Sequence, residues 1–215
     1  MPRIILALAT EADDRFAIWD RIKMIQPEMF AVGPVEVKFA YFGAEGSRQV
    51  RPYVATRWVA NADDMADILD HGRAGCVCGC YVQVGDILEQ ALCEGSPVEA
   101  VVIVGDHFHG DLDAAVAAAR RLCAAGTRLF LLQQGNSAHT ERAFRVLAEA
   151  NGGACVQFNP YVERVAERLP RMLEAVTQFA VGGEAALEAR GDEVADLLLE
   201  QCTRWLGASR GQGQS

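Results

Sequence analysis

Two kinds of apolar segment alternate along this chain. Residues 3–9 and 98–104 are mostly unbroken apolar runs of strand length. Such runs are typical of strands in a parallel sheet, because helices cover both of its faces. After the second run, Leu112, Ala115 and Val116 begin a pattern that repeats every three or four residues, which indicates a helix. This alternation predicts an α/β fold with a mostly parallel sheet.

The predicted architecture has three layers and is doubly wound, with a central sheet of about six strands. Residues 35–42 and 53–59 are separated by turn residues, so we expect a hairpin whose second strand is an antiparallel edge strand. Another strand is predicted over 129–132, with residues 133–136 as a solvated loop. An early helical pattern is expected to stop at Pro27.

The predicted organisation has one main domain with additions at its carboxyl end. We expect an α/β domain over residues 1–180 and a helical extension packed on it over 181–206. Glycines at 182 and 183 are expected to break the helical pattern. Residues 207–215 are small and polar, and we expect them to be a disordered tail.

Charge and hydropathy exclude several classes of partner. The formal net charge is −9 over 215 residues, and the basic residues form no stripe. We therefore expect no binding to nucleic acid and no docking on an anionic membrane. The first apolar run is too short for a signal peptide, and no run approaches the roughly 20 residues that span a bilayer. The expected location is the cytoplasm.

Four stretches of the sequence, taken in order, resemble one known family. They are residues 58–61, 82–92, 101–106, and 129–132 together with 141–153. The second is similar to a threonine-centred loop with its helix, and the third to an apolar strand that ends in an aspartate. In this order they resemble the von Willebrand factor type A (VWA) domain. The resemblance extends over residues 3–180, and it implies a VWA-like fold.

In the VWA family, oxygen ligands at the carboxyl edge of the sheet hold a divalent ion such as Mg²⁺. The resemblance assigns the third-loop aspartate of that set to Asp106. No Asp-x-Ser-x-Ser follows the first strand, and Val82 stands at the threonine position. The resemblance therefore implies a degenerate site that is largely lost, with Glu11 and Asp13 as partial substitutes.

A second group of residues has a different metal chemistry. The run Cys76, Cys78 and Cys80 would place three thiols on one side of an extended chain. A VWA-like layout would bring them to the same edge as His107 and His109. Sulfur and imidazole together suit Zn²⁺. The plain alternative, which the spacing favours, is a tight loop of small residues beside two solvated histidines.

The remaining polar and thiol groups near these loops have structural interpretations. Asp111 is expected to cap the helix that follows it, and His139 to lie on the surface beside another cap. Four further cysteines lie in apolar-patterned segments, where we expect buried free thiols: Cys93, Cys123, Cys155 and Cys202.

The functional prediction is a protein that binds another protein and catalyses no reaction. No glycine-rich phosphate motif is present in the chain. The resemblance suggests an adaptor or assembly role, as a monomer or a homodimer. No cofactor is expected. The alternative is a metal-binding protein or metal-dependent enzyme that uses the Cys76–Cys80 and Asp106–Asp111 loops, with Mg²⁺ or Zn²⁺ as the ion.

Overall fold

The computed structural model describes residues 1–9, 22–23, 26–44, 50–75, 83–158 and 168–211. Six strands lie in these ranges: β1 (Arg3–Ala9), β2 (Glu36–Ala44), β3 (Val50–Ala55), β4 (Ala100–Gly105), β5 (Arg128–Gln134) and β6 (Ala154–Phe158). They form one sheet in the order β3-β2-β1-β4-β5-β6. β3 pairs antiparallel with β2, and the other neighbouring strands are parallel. The predicted α/β class is confirmed.

Helices connect and cover these strands. Their bounds are α1 (Ala62–Gly75), α2 (Val84–Leu92), α3 (Leu112–Ala124), α4 (Ala138–Asn151), α5 (Arg168–Arg190) and α6 (Glu193–Gly211). Residues 26–31 are also helical. Within the described ranges, no helix has both the length and the hydropathy needed to cross a membrane.

Two apolar clusters fill the two faces of the sheet, which gives the three layers. Ile4 and Val102 belong to a cluster that includes residues of α1, α5 and α6. Ile5 and Val101 belong to a cluster with residues of α2, α3 and α4. Successive residues of one strand therefore enter opposite cores, as the period of two requires. This double coverage is why all six residues of β4 are buried and five of them are apolar.

Polar side chains cap several helices, and the predicted cap at Asp111 is among them. The Asn61 Oδ1 atom accepts the N–H of Asp64 at 2.8 Å, so Asn61 caps α1. Asp111 caps α3, and Ser137 caps α4. At the other end of α4, Gly152 adopts a left-handed conformation with φ of 71°, which completes the helix terminus.

Several predicted boundaries are wrong. β5 continues to Gln134, so the expected solvated loop begins inside a buried strand. Residues 26–31 are helical and place Pro27 in the first turn of this described segment, where proline is tolerated; residues 24–25 lie outside the described ranges, so the predicted stop of the earlier helix stays a prediction. α1 extends to Gly75, although the glycines at 72 and 75 predict that the loop before the cysteine run begins at residue 72. The hairpin's second strand, β3, ends at Ala55, and beyond it Val59 makes an isolated bridge to Val37.

The carboxyl-terminal helices share the core of the sheet. Leu187, Val194 and Leu198 lie in the same buried cluster as the β1 residue Ile4. The predicted break in α5 is confirmed, since Gly183 has φ 68° and ψ −158°. α6 runs to Gly211, past the start of the expected disordered tail, and residues 212–215 lie outside the described ranges.

Candidate functional site

The strand order reverses between β1 and β4, so the expected ligand site lies at the carboxyl ends of these two strands. Strands β2 and β3 lie on one side of this pair, and β5 and β6 lie on the other. In open α/β sheets, ligands bind where the strand order reverses in this way. Ala9, at the end of β1, pairs with Gly105, at the end of β4. The first residue of the candidate site, Asp106, follows directly.

Asp106 and His107 begin the loop after β4. The Asp106 side chain is only 16% exposed, whereas the His107 side chain is 46% exposed. The His107 Nδ1 atom lies 3.4 Å from the Asp106 Oδ1 atom, a distance beyond a good hydrogen bond. The edge therefore presents an imidazole to solvent beside a mostly covered carboxylate.

The two histidines of the loop lie side by side. The rings of His107 and His109 are stacked, with centroids 6.0 Å apart and ring planes 12° apart. Between them, the Phe108 side chain turns inward and is buried. The backbone of His109 forms a bridge with Gln83, and Gly110 adopts φ of 108° beside the Gln83 side chain. Gln83, which directly precedes α2, thus lies beside the histidine loop.

A buried threonine attaches this loop to α4. The Thr140 hydroxyl accepts the N–H of Phe108 at 3.2 Å and lies 3.1 Å from the Asp106 carbonyl, to which it can donate. It also contacts the Ser137 hydroxyl at 3.1 Å. Thr140 is fully buried, so these bonds are shielded from water. The position of Asp106 therefore depends on the first turn of α4.

We expect Thr140→Val to loosen the loop and to lower stability by about 1–2 kcal/mol, because the Phe108 N–H loses its acceptor. Amide hydrogen exchange at Phe108 should accelerate more than the loss of global stability explains. Thr127→Val is the matched control, since the Thr127 hydroxyl is also buried and donates to Val98 far from the loop. Equal exchange at Phe108 in the two variants would contradict the role of Thr140.

Asp111 has the structural role that its position predicts. Its Oδ1 atom accepts the N–H groups of Asp113 and Ala114 at 2.9 and 3.1 Å. A carboxylate oxygen engaged in this way stabilises the N-terminus of α3. Of the acids in this loop, Asp106 is therefore the one that remains in the candidate site.

A buried glutamine at the end of β5 was missed by the sequence reasoning. Gln133 is 0% exposed and pairs with Gly105 in the sheet. Its Nε2 atom donates to the Ser137 carbonyl at 2.9 Å, which ties β5 to the start of α4. One sequence feature could have indicated this burial: two glutamines directly follow an unbroken apolar strand. Flanking strands on both sides bury them despite their polarity.

Several predicted ligands lie outside the described residues. These are Glu11, Asp13, Cys76, Cys78 and Cys80, together with Val82 at the threonine position of the resemblance. In the part of the chain that is described, no three His, Cys, Asp or Glu side chains are grouped closely enough to hold a metal ion. Of the predicted ligands that are described, Asp106 lies beside His107, and His107 stacks on His109, but the three do not form a metal-binding group.

The other four cysteines are free thiols, but they are not equally buried. Cys202 is buried, and Cys123 and Cys155 are half-buried. The prediction is wrong for Cys93, which is exposed. Cys93 follows the last residue of α2, and its N–H bonds to helix carbonyls, so its position is set by the helix end and not by the core.

No family model matches the chain, and no curated protein matches it. The similarities are to solved structures. The SpRpn10 VWA domain has a TM-score of 0.55 at 16% identity, covering 78% of this chain and 92% of that one. Human COPII-coat protein Sec24c has a TM-score of 0.60 at 11% identity, covering 82% of this chain and 32% of that one.

A third similar structure carries a metal. It is proximal thread matrix protein 1 from the mussel byssus, with a zinc-occupied MIDAS motif. Its TM-score is 0.55 at 14% identity, and the match covers 83% of this chain and 46% of that one. Identities this low bear on the fold alone. The matches to these solved structures, together with the strand order, show that this chain has a VWA-like fold.

Proposed function

We propose that this chain is a non-catalytic protein-interaction module with an adaptor or assembly role, and that its partner docks on the carboxyl edge of the sheet. The observation that carries the proposal is that most polar groups of the loop after β4 have structural roles, whereas the His107 side chain is exposed. Asp111 caps a helix, Thr140 holds the loop, and Asp106 is mostly covered. What the loop offers to a partner is the exposed His107 imidazole on a firmly attached backbone.

The usual Mg²⁺ site of the family is largely lost in this proposal. The resemblance assigns Asp106, which directly follows β4, to the third-loop position. The sequence offers Val82 where an oxygen ligand is needed, and no Asp-x-Ser-x-Ser follows β1. Glu11 and Asp13 remain the candidates for partial replacement. A coat protein shares this fold, and the assembly role of this chain is part of the proposal.

One experiment locates the docking surface. A photo-crosslinking amino acid is placed at His107, on the carboxyl edge, and in a second variant at Arg121, in the last turn of α3. Both side chains are exposed, at 46% and 60%. In extract from the source organism, we expect one protein to be crosslinked from position 107 and not from position 121.

The captured protein is then purified and its affinity measured directly. His107→Glu should weaken binding by about tenfold or more, because a new charge is buried in the contact. Arg121→Glu introduces the same residue at the other end of α3 and should leave the affinity within about twofold. Equal effects of the two substitutions would overturn docking on the carboxyl edge.

The alternative function is a metal-binding protein or metal-dependent enzyme. It is favoured by the stacked rings of His107 and His109 and by the backbone bridge from Gln83 to His109. In this hypothesis Cys76, Cys78 and Cys80 supply further ligands. In the similar mussel protein, zinc occupies the MIDAS motif.

Metal analysis of untagged protein, purified without chelator, separates the two proposals. Near-stoichiometric zinc that is lost in both Cys78→Ser and His107→Ala would overturn the non-catalytic proposal. Near-stoichiometric magnesium or calcium would mean that acids such as Glu11 had rebuilt the family site. Protein without metal that still binds its partner supports the interaction module.

A further inference from the structure

The second half of α5 is a short helical segment between two glycine bends. Gly183 has φ 68° and ψ −158°, a conformation that is essentially restricted to glycine. Gly191 follows the segment with φ of 61°. We call residues 184–190 the strap. Its sequence, Glu-Ala-Ala-Leu-Glu-Ala-Arg, consists of strong helix formers, but a helix this short is not stable in water without tertiary contacts.

The apolar attachment of the strap is Leu187. This side chain is fully buried and belongs to the same cluster as the β1 residue Ile4. Three other side chains of the strap are exposed: Ala185, Glu188 and Ala189. An alanine also buries little apolar surface when it does make a contact. The core therefore holds the strap mainly through one leucine.

The polar attachment of the strap is Arg190. Its Nε atom donates to Asp192 Oδ2 at 2.6 Å. Its Nη1 atom lies 3.0 Å from Glu174 Oε1 and 3.2 Å from Gln178 Oε1. Glu174 and Gln178 lie one turn apart on the first half of α5, so the strap folds back along that half. The Arg190 side chain is only 11% exposed, so these contacts are largely shielded from water.

A groove of about 350 Å³ borders both halves of α5. Its lining includes Val181 from the first half, Ala186 and Ala189 from the strap, and Val32 from the segment before β2. The two alanines do not fill this space, so the strap is loosely packed on this side. Its position thus depends on Leu187 and Arg190.

We propose that the strap opens as one unit, while the sheet and the other helices stay folded. The two glycine bends can absorb the change in backbone direction, as hinge residues do. The Asp192 carboxylate also accepts the N–H of Ala195 at 2.9 Å, so α6 keeps its cap when Arg190 leaves. Opening withdraws Leu187 from the core on the sheet face opposite α3 and α4. The strap is therefore a device that controls access to apolar surface.

Hydrogen exchange of the unmodified protein in low urea tests this proposal. The amides of residues 188–191 should exchange through the open state, at least about tenfold faster than those of β4 after correction for intrinsic rates. Their exchange should also depend less on urea, because opening exposes less surface than unfolding does. The amides of β4 report global unfolding, since the whole strand is buried. Equal exchange free energies and equal urea slopes in the two groups would overturn the proposal.

Arg190→Gln tests the polar attachment. Loss of the guanidinium leaves carboxylates without their cation, so exchange in the strap should accelerate by about tenfold or more. The matched control is Arg168→Gln, because Arg168 pairs with Glu193 at 3.2 Å and also links α5 to α6, but on the exposed surface. We expect this control to change exchange in the strap by no more than about twofold. Equal acceleration in the two variants would contradict the role of Arg190.

Asn151→Asp separates local opening from global unfolding, and it decides the proposal even if Arg190→Gln fails to fold. Asn151 bonds α3 and β5, which stay packed in the open state. The substitution should therefore accelerate exchange in β4 but change exchange in the strap by no more than about twofold. Acceleration of both groups by the same factor would overturn independent opening. These measurements need no partner, so their outcome is separate from crosslinking at position 107.

Discussion

Gly153→Ala is expected to destabilise the protein by about 3 kcal/mol, because an added methyl group has no room at the start of β6. A Cβ atom at this position would lie 2.0 Å from the Leu129 carbonyl oxygen and 2.9 Å from the Leu129 carbonyl carbon. Both are backbone atoms of β5, so no side chain can move aside. Equilibrium unfolding in urea measures the loss as a lower free energy of unfolding.

Two other glycines provide controls for Gly153→Ala. Gly95 has nothing within 4 Å of its Cβ position, so Gly95→Ala should be neutral or stabilising by about 0.5 kcal/mol. Gly126 also has open space, but its φ is +85°, so Gly126→Ala tests backbone strain alone. If Gly153→Ala and Gly95→Ala unfold at the same urea concentration, the close approach of β5 and residue 153 is wrong.

Asn151→Asp is expected to lower the free energy of unfolding by about 3 kcal/mol or more at neutral pH. Asn151 is fully buried, and its Oδ1 atom accepts the Leu129 N–H at 2.6 Å. Its Nδ2 atom donates to the carbonyls of Ala119 and Thr127, both at 3.0 Å. The substitution preserves shape and the acceptor, but it turns an oxygen toward two carbonyl oxygens inside the core.

The matched control for Asn151 is the same chemical change at an exposed cap. Asn61→Asp keeps an oxygen acceptor for the Asp64 N–H and loses the bond from Asn61 Nδ2 to Asp64 Oδ2, but this pair is exposed to water and aspartate caps helices as well as asparagine does. We expect a change below about 1 kcal/mol. Thermal unfolding followed by circular dichroism compares the two variants. A loss at Asn151 no larger than the loss at Asn61 would mean that the buried network contributes little.

The networks around Asn151 and Thr140 illustrate what the residue pattern could not predict. Helical periodicity places both positions on α4, but it does not say which backbone groups they meet. The partners of Asn151 come from α3, β5 and the turn before β5, at separations of 22 to 32 residues along the chain. Such contacts depend on how the layers pack, and local pattern carries no information about them.

The candidate site was predicted only in part, because some of its features depend on contacts between segments that are far apart in the chain. Its location at the carboxyl edge follows from the strand–helix alternation, and the cap role of Asp111 follows from its place before an apolar helix pattern. The burial of Gln133 and the exposure of Cys93 did not follow. Polarity predicts a solvated glutamine and an apolar neighbourhood predicts a buried thiol, but neighbouring strands and a helix end decide otherwise.

The sequence by itself determined the α/β class, most of the strand and helix positions, and the resemblance to a VWA domain. These follow from periodicity and capping, which are properties of residues close together in the chain. Only the tertiary structure decided that Thr140 holds the Asp106 loop, that residue 153 has no room for a side chain, and that Gln201 bonds the edge of β6. Each of these depends on distances between segments that are far apart in the chain, and packing of the three layers sets those distances.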